Sequence, residues 1–575
     1  MESIGSEARS LAEEEMLELE RQGCEAEDWA MVKVAHDFSP RGFVSVIFKG
    51  SCFLSPLTQP CWDGERHWPS VVKEVELCRV RLAPNVHISR SGLLEDCVVG
   101  RGAIIFNCGR LLGSGASLWP VGIDVGNEMG GRKLWLSPEM TSVEAKLQSE
   151  QPSRADACFR EAKAHFGDVI KGQSWLDQDC TITDVPLSKG VLLSEGTRVS
   201  GASLLDGVIA LGSPEQPVVI GSGSQVQRSI LQWGSVVDGA AQVTAALIGD
   251  GCHVGAAAVV EQAFIGHSGG FGKGEVTACV MGPFVAMHHQ SLAIGLVWPQ
   301  GRGNVAYGAK LGSNHTGKCP DQEAFPGEGC FFGLSCALKF PVHLHRAPYS
   351  LFAAGVEVPP MRLELPFSLV LPPKPGGSGR AAGLNQIEPA WVLSENLYTL
   401  VRSELKFAQR LKSRREPFDS SWLREDTVRL MDQARAKLMA LPRDEAWLVA
   451  REWPGLGEGV LSRSSVQKAI FLYQRFGDIY ALESVLRDPE SPWVQRLVEQ
   501  GLDCEDRALL EKKQVEALGW QLAAIERSRA KDFSRGHRIC DDYDEVHVPM
   551  DQDPLVLAWR EKLSLAQLKV KMNMA

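Results

Sequence analysis

Between residues 82 and 118, and again from residue 179 to about residue 360, aliphatic or aromatic residues return every five or six positions along the chain. Leu93, Val99, Ile105 and Leu111 begin the series, and Val226, Leu231, Val237, Val243, Ile248, Val254, Val260, Ile265 and Phe271 form its longest run. Two residues before each of these stands a small side chain: Ser91, Cys97, Ala103 and Gly109 in the first set, Ser224, Ser229, Ser235, Ala241, Ala246, Cys252, Ala258, Ala263 and Gly269 in the second. Residues two apart in a strand face the same way, so the large side chain and its small companion share one face. A longer period is nested in the short one, because Val226, Val243 and Val260 are seventeen residues apart, as are Leu231, Ile248 and Ile265. Three short sides therefore close one turn, and the spacing predicts a parallel β-helix with a narrow triangular core, coil stacked on coil. Glycines directly after an anchor, at Gly100, Gly221, Gly249, Gly255 and Gly266, are expected at corners that demand unusual backbone angles.

Two segments break the period. Residues 119–178 are expected to form an arm inserted outside the prism, with a helical stretch from Val143 to Val169, and residues 206–217, which hold Pro214 and Pro217, a smaller loop. Residues 1–80 are expected to be a cap, with an acidic helix and a strand or two. The β-helix then occupies 81–370, a Pro- and Gly-rich linker 371–385, and an α-helical module 386–575, where Leu397, Val401, Leu405, Ala408 and Leu411 form one apolar stripe.

Composition narrows the function. A net charge of −11 supplies no excess of cations for phosphates, which argues against nucleic acid or an anionic membrane as partner. The 56 glycines against 6 tyrosines suit tight turns and thin strands, and the 15 cysteines, an odd number without a C-x-x-C pair, read as reduced thiols of a cytoplasmic protein. The first residues are acidic and polar, unlike a secretory signal, and no apolar run reaches membrane-spanning length.

Six of the 13 histidines, His267, His288, His289, His315, His343 and His345, fall in the last coils and their loops. An imidazole titrates near neutrality and serves as a general base, and a loop on a rigid scaffold is where such a site is carried. His315, His289 and His288 are the candidate bases, with Asn304, Asn314 and Lys318 positioning a substrate. The turn of Asn127, Glu128 and Arg132 is a second candidate anion or carbohydrate contact, although a tight turn with an ion pair explains it equally well.

The small-large rule resembles the hexapeptide repeat of left-handed β-helix proteins, and the hand is taken from that resemblance. In the acyltransferases of that fold a loop histidine deprotonates a sugar hydroxyl or amine as it attacks a thioester, and a backbone amide holds the oxyanion. The resemblance thus implies a homotrimer acting on a sugar or sugar nucleotide, with acyl-CoA or an acyl carrier thioester as co-substrate and no bound cofactor. A γ-type carbonic anhydrase also resembles such a prism and would enlist His288, His315 and His343 for zinc, but its paired histidines with a four-residue gap are missing here. A sugar-nucleotide pyrophosphorylase needs a nucleotide-binding domain larger than the roughly eighty residues that precede the repeats. A non-catalytic scaffold is the remaining alternative. Along its whole length the chain is similar to a family of long bacterial left-handed β-helix proteins of unknown function, some labelled UDP-N-acetylglucosamine pyrophosphorylase-like or acyltransferase-like. The likeness runs through residues 21–29, 125–132, 287–322, 365–370 and 397–407. It implies the β-helix and a helical C-terminal part, and it assigns no catalytic residue.

Overall fold

A computed structural model of the chain describes residues 8–114, 119, 121–127, 130–166, 172–312, 323–374, 382–443 and 445–574. They fall into two compact units, residues 1–324 with 412–416, and residues 325–411 with 417–575.

The first unit is a parallel β-solenoid. Val226 lies in register with Val243 and Val243 with Val260, Leu231 with Ile248 and Ile265, and Val237 with Val254 and Phe271. All nine are buried, which is the seventeen-residue coil expected from the pattern. Two sides of a coil come from one strand, such as Gln225–Leu231, bent in the middle where Arg228 takes φ 46°. The same corner recurs at Gly190, Gly207, Ala245, Gln262, Ala278 and Gly295, all with positive φ. For a residue with a Cβ that conformation costs roughly 1–2 kcal/mol, and the aligned ladders on both sides offset it.

The glycines after the anchors have a different reason from the one expected. Gly100, Gly221, Gly249, Gly255 and Gly266 do not take positive φ; the left-handed residues come two places later, at Gly102, Gly223, Gly251, Ala257 and Ser268. At Gly100, Gly221, Gly249 and Gly266 what excludes a side chain is the next coil. A Cβ on Gly100 would lie 2.5 Å from the Asp177 carbonyl carbon, and one on Gly249 would lie 2.6 Å from the Ile265 carbonyl oxygen.

The small companions also do more than make room. Ser229 Oγ accepts a hydrogen bond from the Ala246 amide at 3.1 Å, Ser91 Oγ from Cys108 at 3.3 Å, and Cys252 Sγ from Gly269 at 3.2 Å, each donor seventeen residues on. A hydroxyl or thiol inside the tube thus pairs a buried amide of the next coil. Gly109 departs from the pattern: it is exposed, and Cys108 is buried in its place.

Coil stacking begins upstream of residue 81. A short helix, α1 (Glu13–Arg21), precedes it; Val32–Val34 then pairs in parallel with Cys52–Leu54, and Phe43–Lys49 with Val71–Leu82. The prism closes across the arm, since Ile105 is in register with Ile88 before it and Ile182 after it. The arm is a hairpin (Val121–Asp124 with Lys133–Leu136) followed by α2 (Ser142–Glu150) and α3 (Ala155–Phe166), two helices separated at Pro152 where one was expected. Val169 lies outside the described residues. The loop expected at 206–217 is shorter than that, because the strand Leu204–Ala210 runs through its first half.

The arm covers the prism. Leu192, Ile209, Ile230, Leu247, Phe264 and Val280 point outward from one side of successive coils, and they form one buried cluster with Trp119, Ile123, Leu134 and Leu136 of the arm. Phe264→Ala is expected to cost about 3–5 kcal/mol of arm docking. Limited proteolysis of residues 121–166 should accelerate while the inward core persists; unchanged cleavage would contradict the docking.

The second unit continues with parallel pairing of short strands, Phe331–Phe332 with Leu351–Phe352 and then Leu369–Leu371, and Ala337–Leu338 with Glu357–Val358. Its helices are α4 (Val392–Glu395), α5 (Leu397–Arg410), α6 (Glu425–Met439), α7 (Arg463–Arg487), α8 (Val494–Glu499), α9 (Arg507–His537), α10 (Tyr543–Val546) and α11 (Pro554–Met574). The stripe expected on α5 is buried at Leu397 and Val401 but leaves Leu405 exposed. No helix among the described residues is long and apolar enough to cross a membrane.

Candidate functional site

One side of the first prism stacks Val236–Val237, His253–Gly255, Gly270–Gly272, Ala286–His288 and Asn304–Val305 in parallel register. Val237, Val254, Phe271, Met287 and Val305 fill the inside. Strand alternation then turns His253, His288 and Asn304 outward, and all three are exposed. His253 Nε2 lies 3.0 Å from Asp238 Oδ1, an imidazole held by a carboxylate on the neighbouring coil.

Gly255 lets the His253 pair lie against the sheet, and the His288 ring packs on the sheet at ordinary contact distance. A Cβ on Gly255 would meet His253 Nε2 at 2.8 Å and Asp238 Oδ1 at 2.5 Å, and the His288 ring lies over Gly270 and Gly272, 3.7 and 3.6 Å from where their Cβ atoms would be. Contact with the sheet desolvates His288, and that burial, helped by His289 and His253, pulls its pKa below the usual imidazole value. A neutral ring can accept a proton. His289 follows at the corner, its ring centroid 6.1 Å from that of His288, and both His289 and Gln290 take the left-handed conformation, φ 62° and 58°. Beside this corner is a shallow recess of about 490 Å³, lined by Lys273, Glu275, Gln290 and Ser291 among others.

The other expected site residues lie elsewhere. His315, Asn314, Lys318 and Glu128 are outside the described residues. Asn127 belongs to the hairpin turn of the arm, which the Gly126 amide ties to the Ala278 carbonyl at 2.7 Å. Arg132 braces that turn: its guanidinium donates to Glu323 Oε1 at 2.9 and 3.1 Å and to the Ser149 carbonyl. Its charge is thus engaged within the protein, by a carboxylate outside the turn. His343 and His345 belong to the second unit, where both rings pack on Phe325. Among the described residues no group of three His, Cys, Asp or Glu could hold a metal ion.

His267 is structural as well. It is 1% exposed, packs edge-on against Phe284, and burial drives its pKa down to about 4. The unfolded chain, with an ordinary imidazole, binds the proton more tightly. The contribution of His267 is therefore full above about pH 6.5 and is lost as pH falls towards 4, on the order of 3 kcal/mol at the limit. Urea unfolding at pH 7.5 and 4.5 checks this, and His267→Asn should flatten the difference.

The class of protein defined so far is a parallel β-solenoid with an imidazole-carboxylate pair exposed on one outer side. The chain belongs to the family described as "Domain of unknown function (DUF4954)", whose model matches residues 8–317. It is similar to an uncharacterized protein of Treponema pallidum, 24% identical over 478 residues, which are 80% of this chain and 64% of that protein. The chain therefore spans a little less than two thirds of the length of that relative.

Proposed function

We propose that this protein is an acyltransferase of the hexapeptide-repeat, left-handed β-helix kind, moving an acyl group from a thioester to a hydroxyl or amine of a sugar or sugar nucleotide, as a homotrimer. The reading rests chiefly on one observation, the 3.0 Å pairing of Asp238 with His253 beside His288 and His289 on an exposed prism face. Asp238 orients His253 and stabilises the imidazolium that forms when the ring takes the acceptor proton. His289 and the neutral His288 stand next to it as further proton acceptors, and Asn304, on the same face, offers an amide to substrate hydroxyls. The three-sided seventeen-residue coil and the small inner companions support the hexapeptide assignment; the hand and the trimer rest on the resemblance alone.

The test is thiol release from acetyl-CoA in the presence of amino and hydroxy sugars. His253→Asn, and His288→Ala with His289→Ala, should each lower turnover by roughly 100-fold or more without changing the unfolding midpoint. Turnover that survives all three replacements rejects the site. A scaffold role is favoured by one observation, that the recess beside the histidines is shallow and His289 does not line it. A scaffold would show no thermal shift with any acyl-CoA or nucleotide sugar.

A further inference from the structure

The second unit holds a groove of about 900 Å³ between α4, α7 and α9, remote in sequence from every histidine discussed above. Its apolar part is made by Phe471, Leu472 and Trp520, and Phe471 is 58% exposed, so the phenyl ring is open to a ligand. Its polar part is cationic. Lys468, Arg527 and Lys531 line it against a single carboxylate, Glu395, in a chain whose net charge is −11. Glu395 is already shared, accepting from Lys468 at 2.7 Å and from Lys531 at 3.4 Å. Arg527 forms no ion pair among the described residues, so a positive charge is left unmet at the rim.

We propose that this groove binds a single-chain anionic amphiphile, its carboxylate or phosphate head at Arg527 and its alkyl chain along Phe471, Leu472 and Trp520. A guanidinium donates two parallel N–H groups to either head group, which accounts for an unpaired arginine here. The lysines that share Glu395 supply further charge without needing to leave their partner. The apolar wall explains the exposed phenyl ring, because an alkyl chain laid on it removes both surfaces from water. A nucleotide fits less well, since the wall offers a base no amide or carboxylate edge to read apart from Glu395, which two lysines hold.

Isothermal titration of the full chain with dodecanoate, dodecyl phosphate, dodecanol and ADP, all below micelle-forming concentrations, tests this. Dodecanoate or dodecyl phosphate should bind once per chain, and the preferred one names the head group. Dodecanol and ADP should bind at least tenfold more weakly. Arg527→Glu and Phe471→Ser should each weaken the anion at least tenfold with an unchanged unfolding midpoint, since both side chains are exposed, and Arg527→Lys should keep part of the affinity. Absence of saturable binding by either anion, equal binding of dodecanol or ADP, or an unaltered affinity in Arg527→Glu overturns the proposal.

Discussion

Gly249→Ala is expected to destabilise the first unit by about 3–4 kcal/mol, several times the effect of an alanine at Gly201. Gly249 directly follows Ile248 whereas Gly201 stands two places after Val199, and the structure gives the two glycines different reasons. Gly249 has ordinary backbone angles, but a Cβ there would lie 2.6 Å from the Ile265 carbonyl oxygen and 2.9 Å from both the Gly266 carbonyl carbon and the His267 nitrogen. Those atoms are backbone of the next coil, and the Gly249 amide is itself hydrogen-bonded to Ile265 at 2.8 Å. Relief therefore requires two coils to part, which breaks the ladders that hold them. Gly201 has φ 66°, yet its Cβ would meet nothing nearer than 3.4 Å, so alanine there meets left-handed strain of about 1 kcal/mol and little else. Urea denaturation of both variants distinguishes the cases. Equal destabilisation would mean that backbone angle, and not the approach of the neighbouring coil, selects these glycines.

That contrast shows where the sequence is readable and where it stops. The inward set was legible because a side chain pointing into a closed tube must be apolar in every coil, so Val226, Val243 and Val260 announce their register through spacing alone. The glycine positions were legible but their cause was not, since a close approach between coils leaves the same mark as a backbone requirement. The outward column from Leu192 to Val280 was hidden by its own consistency: runs such as Ser229-Ile230-Leu231 and Ala263-Phe264-Ile265 read as more core, whereas the middle residue faces the arm. At the candidate site, His288 and His289 stood out as adjacent letters. Asp238 and His253 did not, because they are fifteen residues apart and meet only across two stacked coils. The seventeen-residue register contained the signal, in that residues displaced by one coil less two positions become diagonal neighbours on the outer face. Clustering counted along the chain misses such pairs in any solenoid.

Nothing periodic announced the segment 412–416, and breaking its attachment carries the second large expected effect. These five residues belong to the first unit although they follow α5 in the chain. Arg415 grips Asp250 with two hydrogen bonds, Nε to Oδ2 at 3.1 Å and Nη2 to Oδ1 at 2.9 Å, and Ser413 Oγ donates to the same carboxylate at 2.8 Å. The guanidinium carbon stands 4.3 Å above the Trp233 ring centroid, and the Asp250 side chain is 1% exposed. Lys412 and Glu416 tie the ends, to Ser268 Oγ at 3.2 Å and to the Ser142 amide at 2.8 Å. Arg415→Met removes the cation and leaves a carboxylate buried without its partner, a loss of about 3–5 kcal/mol. Because the segment is short and its other ties are single hydrogen bonds, the loss should appear as local opening, with amide exchange of 412–416 faster by two decades or more and the midpoint of the prism nearly unchanged. Asp250→Leu combined with Arg415→Met should recover most of the protection, since the penalty lies in the unpaired charge and not in the missing attraction. If instead exchange of 412–416 is as slow in Arg415→Met as in the parent, the lysine and glutamate ties hold the segment and the buried pair is dispensable.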